Sequence, residues 1–422
     1  MTITLMSAVP GSMIRNTMAE RPAVFRILPC LLLFLLAAFL GRAALADNGT
    51  VRFPDGSEHA VDDAVLNLRT VSSADIPELL SCLKQMPGLI YVDLGSDTVS
   101  DPAGEEYEPV PRNLSWDDIR AIQEACPQAA VKYSFTFWGR PFTTLDTVFD
   151  LNHITMDDNG TSVKEVLPCM TQCKFLDMDF CGVDSEHMAE IRDAYPDIHV
   201  VWRIWFGADC SVRTDVERIL ASNLNHKLQN KNTQDLKYCT KVRLLDIGHN
   251  TLLTDFTFLE YMPDLEVAII CITGLEDLTP ISGCTKLEYL EINTLKPGLD
   301  LSPLGTLVNL EHLDICYLGN VTGWEALKNL TKLKRLWIGR NTWLPEGAVE
   351  ELQEALPNTV INTTNASGSG GDWRMAHNGY TERYALLREQ FEYSNYGRVS
   401  SAYYNDPKYY EKGKEQPRPD HW

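Results

Sequence analysis

Basic residues are scarce in this chain: 37 Lys and Arg stand against 58 Asp and Glu over 422 residues, a net charge of −21. A surface this acidic repels phosphate backbones and excludes general nucleic-acid binding. Long apolar runs are scarce too, and after residue 46 none reaches spanning length. HExxH, G-x-S-x-G, a P-loop and G-x-G-x-x-G are all missing, so the sequence carries no familiar hydrolase, metalloprotease or nucleotide signature. What remains is ordinary globular composition, 44% hydrophobic and 23% charged. That is too apolar for global disorder and long enough for one to three domains.

The single long apolar run, Ile27 to Leu40, follows Arg15, Arg21 and Arg26 and precedes Ala44-Leu45-Ala46. Positive residues, a short apolar stretch and small residues at alternate positions form a signal peptide over 1–46. An uncleaved signal anchor is the alternative. Either way the protein is expected to be secreted or cell-surface associated, and to meet a membrane only if that segment is kept. Residues 47–59 form an N-terminal leader.

The second half repeats. Copies begin at Val242, Leu265, Leu287, Leu310 and Leu333, in steps of 23, 22, 23 and 23 residues, each reading apolar-x-x-apolar-x-apolar. Asn250 and Asn341 fill a closing position where a side chain bonds neighbouring backbone turns; Thr273 and Leu295 hold the equivalent places. A second apolar block follows, as in Phe256/Leu259 and Leu278/Ile281. Asp255, Asp277 and Asp300 precede it, and Thr257, Thr279 and Ser302 stand ready to cap the turn that follows. One strand and one turn cannot bury an apolar face alone, so the copies must stack.

The first half, 60–208, is a diverged duplicate. IPELLSCLKQMPGLIYVDL (76–94) matches TSVKEVLPCMTQCKFLDMDF (161–180), and 119–137 matches 188–206. The first copy carries an insertion at 101–113. Helix-then-strand alternation implies parallel strands. The expected fold class is therefore α/β: a leucine-rich repeat solenoid, a curved parallel sheet with helices and turns on the convex side and longer irregular repeats first. Residues 209–238 connect to the repeats at 239–362. Residues 363–376 read as a flexible linker, and 377–422 as a Tyr-rich tail with one helix (381–393), docked as a cap on the solenoid or hanging free, with docking favoured because exposed aromatics are a liability.

The repeat length and the Asp-apolar-Thr/Ser pattern resemble the internalin-like class of bacterial leucine-rich repeat proteins. Exported repeat proteins of anaerobic Gram-positive bacteria are similar, with a SVRTD-like stretch (here Ser211 to Asp215) at the same junction. The resemblance implies an extracytoplasmic location and names no biochemical activity.

No catalytic, cofactor or metal residue is assigned. Cys169-x-x-x-Cys173 with Cys181 departs from zinc spacing. The loop at 177–188 has Asp177, Asp179 and Gly182 in place but Met188 where a calcium loop needs an acid; looser calcium binding by this acidic face is left open. His312 and Cys316 stand about 13 Å apart along a strand, too far for a dyad. Eleven cysteines are present, and Cys239/Cys284 and Cys271/Cys316 share repeat positions two repeats apart, about 10 Å, beyond disulfide reach. They read as buried thiols; a pairing of Cys169 with Cys173 or Cys210 is left open. The expected function is non-catalytic protein binding through the concave strand face. Two columns line it: Asp246, Ile269, Glu291, Asp314 and Trp337, beside Leu244, Val267, Tyr289, His312 and Arg335. Tyr289, Trp337 and Arg335 are hot-spot residue types. The alternative is a cell-wall-acting or hydrolytic enzyme with an unrecognised site in 60–210.

Overall fold

The computed structural model describes residues 49–99, 110–111, 114–207, 210–222, 228–365, 368, 372–377 and 379–391. The signal-like segment 1–46, most of the insertion 101–113 and residues 392–422 lie outside the described residues. Among the described residues, no helix is long and apolar enough to cross a membrane. The chain divides into two compact units, 1–133 and 134–422.

The first unit opens with an antiparallel pair, β1 (Thr50–Arg52) and β2 (Glu58–Ala60). β3 (Val65–Asn67) runs parallel to β4 (Tyr91–Ser96), with helix α1 (Ile76–Leu83) between them. α1 buries Ile76, Leu79, Cys82 and Leu83, one apolar stripe at helical spacing. The short strands β5 (Thr98–Val99) and β6 (Val110–Pro111) pair antiparallel. Helix α2 (Trp116–Ala125) starts on a capping box: Asp118 N–H donates to Ser115 Oγ at 3.1 Å, and Ser115 N–H donates back to Asp118 at 2.9 Å. Strand β7 (Ala130–Phe137) crosses the division between the units.

In the second unit, β7 turns back on β8 (Arg140–Thr143) in an antiparallel hairpin. The turn is Trp138–Gly139, with φ of +48° and +78°. Positive φ at both central residues matches the twist of the flanking strands and explains why this corner is not a parallel crossover. Next come β9 (Val148–Asp150), α3 (Thr161–Val166), β10 (Phe175–Met178), α4 (Ser185–Ala194) and β11 (His199–Trp205); the three strands are parallel. β12 (Ser211–Arg213) then folds antiparallel onto β11, a further departure from the all-parallel expectation.

A seven-stranded parallel sheet follows in the order β13 (Arg218–Leu220), β14 (Leu244–Asp246), β15 (Val267–Ile269), β16 (Tyr289–Glu291), β17 (His312–Asp314), β19 (Arg335–Trp337), β21 (Val360–Asn362). The stretch read as a connector, 209–238, thus supplies β12, the first strand of this sheet, the one-turn helix α5 (Asn230–Thr233) and the 3-10 turn Gln234–Tyr238. β18 (Gly319–Asn320) and β20 (Thr342–Trp343) form a small parallel pair, and helix α6 (Ala348–Ala355) precedes β21. Two short strands, β22 (Met375–Ala376) and β23 (Gly379–Tyr380), make a hairpin before helix α7 (Glu382–Gln390).

The repeat explains the sheet. Leu245, Ala268, Leu290, Leu313 and Leu336 stand in register, fully buried, facing the turns. Three of the turns start on an aspartate: the N–H groups of Thr257, Thr279 and Ser302 donate to Asp255, Asp277 and Asp300 at 3.0, 2.8 and 3.0 Å. The cap is therefore the aspartate, and the Thr or Ser hydroxyl assigned that role instead donates to it in two of the three. Asn250 does close its turn, donating to the carbonyls of Ala221, Ile247 and Gly248. Asn341 does not: it is exposed, and the neighbouring Thr342 hydroxyl bonds Ile315 O at 2.5 Å in its place.

Two backbone regularities recur among the long and short repeats. The third residue of each strand is usually Asp or Asn, and its side chain accepts the N–H two residues on. Asn67, Asp93, Asp150, Asp177, Asp246, Asp314 and Asn362 all do this. The chain then passes through one left-handed residue: His153, Phe180, His249, Ile272, Thr294 and Tyr317 have φ between +56° and +63°. That conformation costs roughly 1–2 kcal/mol for a residue with a Cβ. The inter-repeat ladder holds it there, for example through His249 N–H to Cys271 O at 2.9 Å and Thr294 N–H to Cys316 O at 2.9 Å.

Candidate functional site

The two columns expected on the sheet face are where the sequence put them. Arg335, His312, Tyr289, Val267 and Leu244 align strand to strand, and so do Trp337, Asp314, Glu291, Ile269 and Asp246. The expectation that this face is open to solvent is corrected. Glu291, Asp314 and Tyr289 are 0% exposed, Asp246 and Ile269 1%, Trp337 4% and His312 5%; only Arg335 is half-buried. The cover is the chain's own C-terminal segment. Leu220, Leu244, Val267, Ile269, Tyr289 and Trp337 form one apolar cluster with Trp373, Tyr384, Leu387 and Phe391, and the left-handed Ile272 and Tyr317 pack against it. Residues 363–376, read as a linker, contain Trp373, which like Tyr384 is fully buried, and α7 lies on the sheet face instead of capping the end of the repeats.

The polar centre is Glu291. Its Oε1 accepts Trp373 Nε1–H at 2.9 Å and Arg374 Nε–H at 2.8 Å, and also the Tyr289 hydroxyl. Arg374 Nη2 donates to Oε2, completing a forked pair whose side chains are 4% and 0% exposed. Burial works against the Arg374 charge, but Glu291 more than offsets it and holds the guanidinium well above its ordinary pKa. Burial, then Glu291, pushes the Tyr289 phenol well up. The Trp373 indole lies 5.3 Å from the Tyr289 ring and 5.5 Å from Trp337, with His312 edge-on at 6.2 Å. Arg335 stacks over Trp337 and Trp373 at 4.3 and 5.0 Å and donates to Trp373 O at 3.0 Å.

Around this centre the segment is tied at its rim. Arg383 pairs with Glu288 at 2.7 Å, Arg218 donates to Phe391 O, and Arg243 lies 5.2 Å over the Phe391 ring. Gly368 approaches Asn293 so closely that a Cβ there would meet its Oδ1 at 2.6 Å. Asn293 in turn donates to Asp314 at 2.9 Å. Burial, with the Glu291 charge second, pushes Asp314 up to about 8. Burial also lowers His312 to about 3, with Arg335 and Arg383 adding to the effect.

The docking residues had a signal in the sequence. Along the third-residue column, Asp or Asn is the local turn-former. Ile269, Glu291 and Trp337 break that pattern, and all three contact the segment. Asp246 and Asp314, in contrast, are local caps and not a charge strip for a partner.

The acids at 177–188 also have partners. Arg203 forks onto Asp179 at 2.7 and 2.8 Å, and Arg213 bridges Asp177 at 2.9 Å and Asp215 at 3.0 Å. Burial raises Asp177 in spite of Arg213. Ser211 to Asp215 thus serves as an arginine clamp between the long and short repeats, and two of the acids offered for loose calcium binding are occupied. A cavity of about 380 Å³ sits beside it, lined by Lys174, Arg192, His199, Trp202, Tyr238 and Lys241 among others. Asp215 in its lining is paired with Arg213 at 3.0 Å. The ten cysteines from Cys82 to Cys316 are buried thiols.

No family model and no curated protein matches the chain. Among solved structures it is similar to an internalin C2 of Listeria monocytogenes (15% identity, 68% of this chain and 93% of that one, TM-score 0.29). It is also similar to an internalin, inlF, of the same species (13%, 74% and 84%, TM-score 0.32). A third similarity is to a leucine-rich repeat protein of Leptospira interrogans (15%, 66% and 74%, TM-score 0.29).

Proposed function

We propose that the protein is an exported, non-catalytic binding protein of the leucine-rich repeat type that recognises another protein through its strand face. One observation carries this reading. The face already holds a polypeptide segment in the manner of an interface hot spot, with a buried indole between aromatic side chains and a desolvated arginine–carboxylate fork beside it. A preformed sheet loses little entropy on binding, which favours this face over a surface that must order itself. Export is inferred from the Arg-flanked apolar run and Ala44-Leu45-Ala46.

The test compares partners retained by three immobilised full chains: wild type, Arg374→Glu, and Arg374→Glu with Trp337→Ala. A protein retained by Arg374→Glu and lost from the double variant supports the reading. Equal retention by all three places binding elsewhere. N-terminal sequencing of the secreted product is expected to begin at Asp47; intact Met1 at the membrane would replace cleavage with the anchor.

A further inference from the structure

The contacts between the sheet face and residues 372–391 are those of a ligand in its site. We propose that this segment is a resident, displaceable ligand: the face recognises polypeptide segments that present an aromatic side chain followed directly by arginine, and Trp373–Arg374 keeps it closed until such a partner displaces them. This rests on reading the chain as a binding protein and names the chemistry of the partner.

The repeats have a core of their own, separate from the segment. Their core lies on the other side of the strands, in the column Leu245, Ala268, Leu290, Leu313 and Leu336, and the strands satisfy one another's backbone groups laterally. The segment does need the repeats. α7 has nine residues, too few for a stable isolated helix, and it buries only Tyr384 and Leu387. It takes its order from the face, as segments that fold on binding do.

The charge pair lies at the seam and not inside either body. When the segment lifts, Glu291 and Arg374 return to water together, so release does not strand a buried charge. What is then uncovered is contiguous: Leu244, Val267, Ile269, Tyr289 and Trp337, an apolar patch of the kind that marks interaction sites. Specificity comes from Glu291. It alone in its column is an acid whose reach passes the local turn, and its carboxylate takes a guanidinium as a fork while also accepting the indole N–H.

The probe is a synthetic peptide of residues 372–391, with a second peptide carrying Arg374→Glu. Each is titrated against the full chain as wild type, as Arg374→Glu, and as the milder rim variant Arg383→Glu, with circular dichroism confirming retained folding. A tethered segment acts at an effective concentration on the order of millimolar, so the wild-type chain is expected to bind the peptide roughly 100-fold more weakly than the opened chains. The charge-reversed peptide is expected not to bind. Folded opened chains that do not take the peptide, equal binding by wild type and opened chains, or equal binding of the two peptides would each overturn the proposal. So would concentration-dependent dimerisation of wild type that Arg374→Glu abolishes, because the occupant would then be a second copy. Peptide binding with no partner retained in the capture experiment counts for this site and against the binding-protein reading alone.

Discussion

Replacing Glu291 by Gln removes one charge and one acceptor from the centre of the covered face. Gln Oε1 still accepts from Trp373 and Arg374 Nε, but its amide nitrogen faces Arg374 Nη2, donor against donor. Arg374 is 4% exposed, and breaking one side of a buried pair costs about 3–5 kcal/mol. The segment has an escape that a core residue lacks. Once the penalty exceeds the free energy of docking, residues 372–391 lift off and Arg374 is rehydrated, so the loss seen in global unfolding is capped at the docking free energy. Urea unfolding should therefore show less than the full penalty, while amide exchange in α7 accelerates to the rate of an exposed helix. A double-mutant cycle with Arg374→Met isolates the pair, with a coupling of about 1.5–3 kcal/mol expected. Additivity within about 0.5 kcal/mol, with α7 still protected, would show that the pair does not hold the segment.

Three further outcomes are expected. Leu313→Ala should cost about 2–5 kcal/mol in urea unfolding, because Leu313 is fully buried in register between Leu290 and Leu336; a cost below about 0.5 kcal/mol would mean the register is wrong. Asp314 and His312 set a pH profile. Asp314 is raised to about 8 from 3.8, so its contribution is full below about 4 and is lost as pH rises towards 8. His312 is lowered to about 3 from 6.5, so its contribution is present above about 6.5 and is lost as pH falls. The two oppose each other between about 4 and 6.5, and stability should fall at up to about 1.4 kcal/mol per unit from 6.5 to 8; an Asp314→Asn chain with the same slope would refute the assignment. Cys239, Cys271, Cys284 and Cys316 should resist thiol reagents in the native protein, burial having raised all four, and titrate fully after denaturation without reductant. Disulfide mapping that links any two of them would overturn the thiol assignment.

The sequence by itself determined the repeat: its period, the apolar column through Leu290, Leu313 and Leu336, and which residues share the opposite face. These follow from local rules, because strand alternation and a fixed step decide which side chains line up whatever else the chain does. The strand supplied by Arg218–Leu220 was hidden, because the apolar pattern there is short and Arg213 and Asp215 before it read as a polar connector until the pairing of Arg213 with both Asp177 and Asp215 is known. The left-handed residues were hidden as well. Ile272 and Thr294 carry no sequence mark of positive φ, and only the inter-repeat ladder holds them there. Above all, only tertiary structure decided whether the face is open. Arg374 pairs with Glu291 across 83 residues of chain, and no local propensity reports a contact that long-range packing alone creates.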